Sequence, residues 1–221
     1  LADRFVVFSG GKLEHRKGHD LVLAAFRRFH ARHPEALLLT AWHSPWPDKA
    51  RDLARSPHVG SAPPVVDGRV DVMAWVAAEG LPPGSVVDVG LVPNDRVPRV
   101  LGQADCAVFA SRYESGTNLP AMEAMACGLP VVLSDNTGHQ DLIDDARCYP
   151  LRRQGAVAHV PDGWGDDGWG ESDVDELDAA LEAIYTDRAE AERRGAAAAA
   201  WMQGLSWTRQ VDRFVAVLDA L

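Results

Sequence analysis

Phe5-Val6-Val7-Phe8 is a short apolar run of aromatic and β-branched residues that gives way to Ser9-Gly10-Gly11, the pattern of a buried strand entering a loop. From about Asp20 to Arg32 the period changes. Val22, Ala25, Phe26 and Phe29 fall on one helical face, while Arg27, Arg28 and Arg32 lie off it. The unit then recurs: a strand at about Ala36 to Trp42, a long Pro-bearing loop, a helix near Val70 to Glu79 and a strand at Val86 to Val89 closed by Gly90. A short helix around Val97 to Gln103, a strand at Cys106 to Ala110, a helix starting near Leu119 and a strand at Pro130 to Ser134 complete the series. Alternating buried strands and amphipathic helices predict an α/β fold, a Rossmann-like doubly wound parallel sheet with right-handed crossovers. Ligands on such sheets bind at the carboxyl ends of the strands.

Beyond Tyr149 the texture changes. Asp162 to Gly170 reads as a surface loop rich in Gly, Trp and Asp, and three helical stretches follow near Asp173 to Tyr185, Arg188 to Gln203 and Trp207 to Ala220. Gly195 to Ala200 is alanine-rich helix, because alanine has the highest helix propensity. No repeat or internal boundary interrupts the chain, so residues 1–221 are expected to form one domain.

A content of 47% hydrophobic and 24% charged residues fits an ordinary globular domain. The 22 Lys and Arg are outnumbered by 32 acids, which argues against a general nucleic-acid binder and directs attention to local basic clusters. Cys106, Cys127 and Cys148 lie in or beside apolar stretches at spacings unsuited to metal pairs, and they read as reduced core residues. No apolar run reaches the ~20 residues that span a bilayer, and Leu1-Ala2-Asp3-Arg4 lacks a signal-peptide pattern, so a cytoplasmic setting is expected. Without an initiator Met, the chain reads as a piece of a longer protein.

Two loops carry candidate chemistry. In Gly10-Gly11-Lys12-Leu13-Glu14-His15-Arg16-Lys17-Gly18, glycines permit close backbone approach while Lys12, Arg16 and Lys17 gather positive charge at the carboxyl edge of the sheet. The second runs from Ser111 through Glu114, Ser115, Gly116, Thr117 and Asn118 into a helix whose first turn holds Leu119 and Pro120. Free N–H groups and the positive end of that helix suit a phosphate. Glu123, one turn further, could accept hydrogen bonds from the vicinal hydroxyls of a ribose. Taken alone, the first loop fits a solvated basic loop as well, and Glu114 and Glu123 fit ordinary exposed acids.

Together these segments resemble a known family. Gly11-Lys12-Leu13 with Lys17-Gly18 is similar to the basic loop of retaining GT-B glycosyltransferases, the glycosyl transferases group 1 family that includes sucrose synthases and many polysaccharide mannosyl- and glucosyltransferases. Glu114 to Gly128 with Leu129-Pro130-Val131-Val132 resembles its two-glutamate signature. Gly138-His139-Gln140-Asp141-Leu142-Ile143 is similar to the segment that follows, and Ser206-Trp207 resembles the opening of the final helix. The matches keep the family's order along nearly the whole chain.

The resemblance implies the C-terminal half of a GT-B fold, which binds a nucleoside diphosphate sugar (UDP-, GDP- or ADP-sugar) and requires no separate cofactor or metal. Lys12 and Lys17 would neutralise the diphosphate, and Asn118 and Leu119 would offer backbone N–H groups to the distal phosphate beside Gly11, Gly116 and Thr117. Glu123 would hold the ribose hydroxyls, Glu114 would contact the transferred sugar, and Gly90 to Val92 would lie against the base. The acceptor, whether sugar, polysaccharide or lipid-linked, would belong to an N-terminal domain absent here. This half alone would bind but scarcely catalyse, and the whole protein could attach peripherally to a membrane.

The sequence departs from the family in one place: eight residues separate Glu114 from Glu123, where the family usually has seven, and Asn118 stands where glycine is common. Asn tolerates left-handed backbone, so the loop can survive. Asp173-Val174-Asp175 matches an acid-x-acid metal motif but reads as a helix cap. His15, His19 and His139 lack zinc-ligand spacing and read as surface or supporting histidines. A catalytically inactive binding domain, an epimerase or hydrolase on the same fold, and an interaction module remain as alternatives.

Overall fold

Side chains alternate across a strand, so one buried apolar run can serve two cores at once. In the computed structural model, which describes residues 3–160, 165 and 167–220, the sheet is built this way. Strands β1 (Phe5–Lys12), β2 (Ala36–His43), β3 (Val86–Asp88), β4 (Cys106–Phe109), β5 (Val131–Ser134) and β6 (Tyr149–Leu151) form one sheet. Their order is β3-β2-β1-β4-β5-β6, and every neighbouring pair is parallel. Val7, Leu38, Val108 and Val132 enter a core with Phe26 and Phe29 of α1 (His19–Arg32), Trp75 of α2 (Val72–Ala78) and Leu177 of α5 (Val174–Thr186). Phe8, Leu39, Phe109 and Leu133 enter the opposite core. There they meet Leu101 of α3 (Val97–Leu101), Met125 of α4 (Leu119–Ala126) and Ala198 of α6 (Arg188–Met202). The doubly wound prediction therefore holds. The strand order reverses between β1 and β4, which opens a crevice at their carboxyl ends.

The differences from the sequence reading have local causes. Helix α2 is shorter than the expected 70–79 because the Asp71 side chain caps it, accepting from Ala74 N at 2.9 Å. Strand β6 is new. With Pro150 at its centre it carries no alternating pattern, and proline is tolerated because this is an edge strand. Gln154–Gly155 and Glu171–Ser172 pair antiparallel, and of the loop expected at Asp162 to Gly170, residues 162–164 and 166 lie outside the described residues. Cys106 and Cys148 are buried as expected, whereas Cys127 is exposed at the end of α4, where the helix has turned away from the core. The last helix, α7 (Trp207–Asp219), buries none of its residues and leaves Trp207 and Phe214 exposed.

One polar contact fixes the loops at the crevice. Arg112 just beyond β4 and Asp20 in the first turn of α1 are both fully buried, joined at 2.8 and 2.5 Å in a two-pronged pair. Arg112 also donates to the His15 carbonyl at 2.7 Å and to Glu171 at 2.8 Å, and its backbone N–H reaches the Arg16 carbonyl at 2.7 Å. Burial alone would raise the Asp20 pKa. The Arg112 guanidinium outweighs it, with help from the Ser56 hydroxyl, and holds the carboxyl at about 2. Beside this pair, Gly18 (φ +67°) lies so close to β4 that a Cβ there would stand 1.9 Å from the Ala110 carbonyl oxygen.

Removing one partner of such a pair leaves a buried charge uncompensated. Arg112→Met is expected to lower the unfolding free energy by about 3–5 kcal/mol in urea titration. The double variant Arg112→Met/Asp20→Asn should lose less than the two single losses added. A loss under about 1 kcal/mol for Arg112→Met would contradict the anchoring role.

Candidate functional site

The crevice is walled by backbone that passes close to open space. Gly11 at the end of β1, Gly90 and Val92 after β3, and Pro120 and Glu123 of α4 line a cleft of about 650 Å³ floored by Phe8 and Leu101. Gly90 has φ +60°, a conformation glycine adopts without steric penalty. Glu123 is exposed on this wall and has no hydrogen-bond partner among the described residues, and partial burial raises its pKa. Four of the residues singled out in the sequence, Gly11, Gly90, Val92 and Glu123, thus meet in one place.

Lys12 points elsewhere. Its ammonium sits 4.7 Å above the Trp46 ring, and it lines an adjoining cleft of about 900 Å³ with Arg16, Trp46 and Lys49. The two clefts share the Gly11-Lys12 turn. Gly116 is exposed, Thr117 directs its hydroxyl to Met122 Sδ at 3.0 Å, and Leu119 is exposed at the start of α4.

Between the clefts lies a buried polar cluster. Glu114, only 6% exposed, accepts from Lys17 Nζ at 2.6 and 2.9 Å, from Ser111 Oγ at 2.6 Å and from Asn118 Nδ2 at 3.0 Å. Arg16 reaches it at 3.4 Å and pairs with Glu14 at 2.7 Å. Burial would raise the Glu114 pKa, but the Lys17 charge and hydrogen bond bring it below the ordinary carboxylate value. Burial lowers the Lys17 pKa while Glu114 opposes that shift, and the ion pair is the state favoured by two such short contacts. The basic loop is therefore not a set of free cations: Arg16 and Lys17 are already engaged by carboxylates.

Asn118 takes the left-handed backbone (φ 62°, ψ 86°) that the sequence allowed, and its carbonyl accepts the N–H groups of Ala121 and Met122. Its amide nitrogen also touches His139 Nε2 at 2.9 Å, while His139 Nδ1 lies 3.2 Å from the Ser134 carbonyl. An amide N–H2 only donates and a carbonyl only accepts, so the imidazole is neutral with its proton on Nδ1. Burial, against the pull of Glu114, lowers its pKa to about 4. His15 and His19 are likewise buried, with pKa values lowered to about 4 chiefly by burial. Of the two readings, surface or supporting, burial excludes the first for all three. Asp173 caps α5 by accepting from Glu176 N at 2.8 Å and Asp175 pairs with Arg28, and no group of three metal-ligating side chains occurs among the described residues.

Residues 4–187 match the family described as Glycosyl transferases group 1, and the chain belongs to that family. It is 37% identical over 76 residues to the O-antigen chain mannosyltransferase B of Escherichia coli, an alignment covering 34% of this chain and 20% of that protein. Its fold is similar to sucrose-phosphate synthase from Thermosynechococcus elongatus, with a TM-score of 0.69 and 24% identity over 100% of this chain and 47% of that one. It is also similar to Anabaena HepE, solved with UDP and glucose, with a TM-score of 0.70 and 17% identity over 100% of this chain and 49% of that one. The α/β architecture is that of GT-B glycosyltransferases, and the chain spans about half the length of these solved relatives. No helix among the described residues is long and apolar enough to cross a membrane.

The buried histidines set a pH dependence. Folding lowers the pKa of His15, His19 and His139 from 6.5 to about 4, so between those values the unfolded chain binds more protons. Their contribution to stability is complete above pH 6.5 and declines as the pH falls toward 4. Urea midpoints measured at pH 7.5, 6 and 5 should fall steadily, and unchanged midpoints over that range would show that these imidazoles are not buried neutral.

Proposed function

We propose that this group 1 glycosyltransferase domain is the donor-binding, C-terminal half of an enzyme that transfers a hexosyl group from a nucleoside diphosphate sugar to an acceptor with retention of configuration. The observation that carries the reading is the meeting of Gly11, Gly90, Val92 and Glu123 around one cleft beside the start of α4 and the Lys17–Glu114 pair. In this reading the base lies in the apolar slot against Gly90 to Val92 and the ribose hydroxyls reach Glu123, whose carboxylate has no competing partner among the described residues.

The diphosphate would then run along the Gly11-Lys12 turn toward α4. An ammonium has three donors, and Lys17 gives Glu114 two contacts, so one N–H remains for a phosphate oxygen without breaking the pair. Lys12 needs only to leave the Trp46 face. The backbone N–H groups of Asn118 and Leu119, at the positive end of α4, complete the cradle for the distal phosphate. As the sugar departs, negative charge grows on the diphosphate, and these prearranged donors stabilise it more in the transition state than in the bound donor. Glu114, fixed beside Lys17, would meet the transferred sugar. The UDP bound in the HepE structure supports a nucleoside diphosphate as ligand, with UDP, GDP and ADP sugars as candidate donors. The acceptor, a sugar, polysaccharide or lipid-linked sugar, would be held by an N-terminal half, and the uncovered Trp207 and Phe214 of α7 offer apolar surface for that half to cover.

Calorimetric titration of the chain with UDP, GDP and ADP tests the reading. One diphosphate is expected to bind without added metal. Glu123→Ala should weaken it roughly ten- to a hundredfold, as loss of a charge-assisted hydrogen bond worth about 1.5–3 kcal/mol predicts. Lys17→Ala should cost far more affinity for the diphosphate than for the bare nucleoside. Equal losses for both ligands, or full affinity in folded Glu123→Ala, would contradict the assignments.

A further inference from the structure

The segment that carries Glu114 is held from one side. Ser115 and Gly116 are exposed, whereas Glu114 and Asn118 at either end are buried. The turn after β5 presses on this segment. Glu114 N–H donates to Thr137 Oγ1 at 2.9 Å, Gly138 N–H donates to the Glu114 carbonyl at 3.1 Å, and a Cβ on Gly138 would stand 2.0 Å from the Gly116 carbonyl oxygen. These contacts fix the backbone of Glu114 but leave its side chain free to turn.

The side chain is fixed by a second set of contacts. Asn118 Nδ2 bridges Glu114 Oε1 at 3.0 Å and His139 Nε2 at 2.9 Å, both acceptors, and His139 is itself held by the Ser134 carbonyl. The amide cannot turn over, because its oxygen would then face a carboxylate and an imidazole lone pair. Its Oδ1 is instead buried with no hydrogen-bond partner among the described residues, an arrangement that normally carries a penalty. The bridge is maintained although it leaves that atom unsatisfied.

We propose that Asn118 and His139 form a positioning pair that sets the Glu114 carboxylate toward the transferred sugar of the donor. This rests on the reading of Glu114 as the group that meets that sugar. Ser134 fixes the imidazole tautomer, the imidazole fixes the amide, and the amide together with Ser111 and Lys17 fixes the carboxylate. His139 touches no ligand in this scheme and acts only through Asn118.

The test uses His139→Leu, which removes the acceptor, and His139→Gln, whose amide can both accept from Asn118 and donate to Ser134. Affinities are measured by calorimetry for UDP, GDP and ADP and for their glucose and mannose conjugates. His139→Leu is expected to keep the affinity for the bare diphosphate within about twofold and to lower that for the conjugate about tenfold, with His139→Gln restoring most of the loss. Asn118→Gly, which retains the left-handed backbone, should lower the ratio of conjugate to diphosphate affinity by a similar factor, and the double variant should lower it no further. If His139→Leu does not fold, Asn118→Gly alone decides. A wild-type ratio in folded His139→Leu or in Asn118→Gly would overturn the pair and leave the donor site standing. A wild-type chain that binds none of the three diphosphates would overturn the donor site, and this proposal with it.

Discussion

Arg112 and Asp20 meet with neither side chain exposed, and the geometry of the crevice depends on that meeting. A guanidinium out of water is tolerated only when its donors are used, and here they reach Asp20, Glu171 and the His15 carbonyl. The contacts join the end of β4 to the start of α1 and to the loop between β1 and α1. Lys17, in that loop, and Glu114, two residues beyond Arg112, are thereby brought within 2.6 Å. Gly18 makes the approach possible, since any side chain there would collide with the strand end.

The ionisable groups of the crevice divide into two kinds. Glu114 and Asp20 are buried and Lys17 is largely so, and each is already held by partners, so their positions are fixed before any ligand arrives. Glu123 and Lys12 face the clefts, the first without a hydrogen-bond partner among the described residues and the second resting on an exposed Trp46 ring. In the proposed donor site, such a rigid interior set and accessible outer set would suit electrostatic stabilisation of a departing diphosphate, because the interior donors need no reorganisation during transfer. Three neutral buried histidines pack around the same loops and add no charge that would disturb this balance at neutral pH.

Much of the sheet was legible because buried parallel strands and amphipathic helices write different periods into the chain. Five strands and the long helices follow from that alone, and the Gly11 loop stands out because a strand end followed by glycines marks a ligand edge, whereas Gly90 and Val92 enter the site only through the family resemblance. Strand β6 was missed because Pro150 removes both the alternation and one ladder donor. The role of Arg112 has no local signature, since its partner Asp20 lies 92 residues away and no local pattern links them. The engagement of Lys17 by Glu114, 97 residues apart, was invisible for the same reason, and so the loop was read as more open than it is. His139 stood in a segment recognised by resemblance, yet its neutral state follows only from the carbonyl and amide on either side of it.

In the proposed donor site a nucleoside diphosphate occupies the cleft between Gly90 and Glu123. Amide chemical-shift mapping of the isotopically labelled chain during titration with UDP, GDP and ADP tests it most directly. One of the three should shift the resonances of Gly11, Gly90, Val92, Asn118, Leu119 and Glu123 while leaving α7 untouched. No response to any of them, or shifts confined to the neighbourhood of Trp46 and Lys49, would contradict the account.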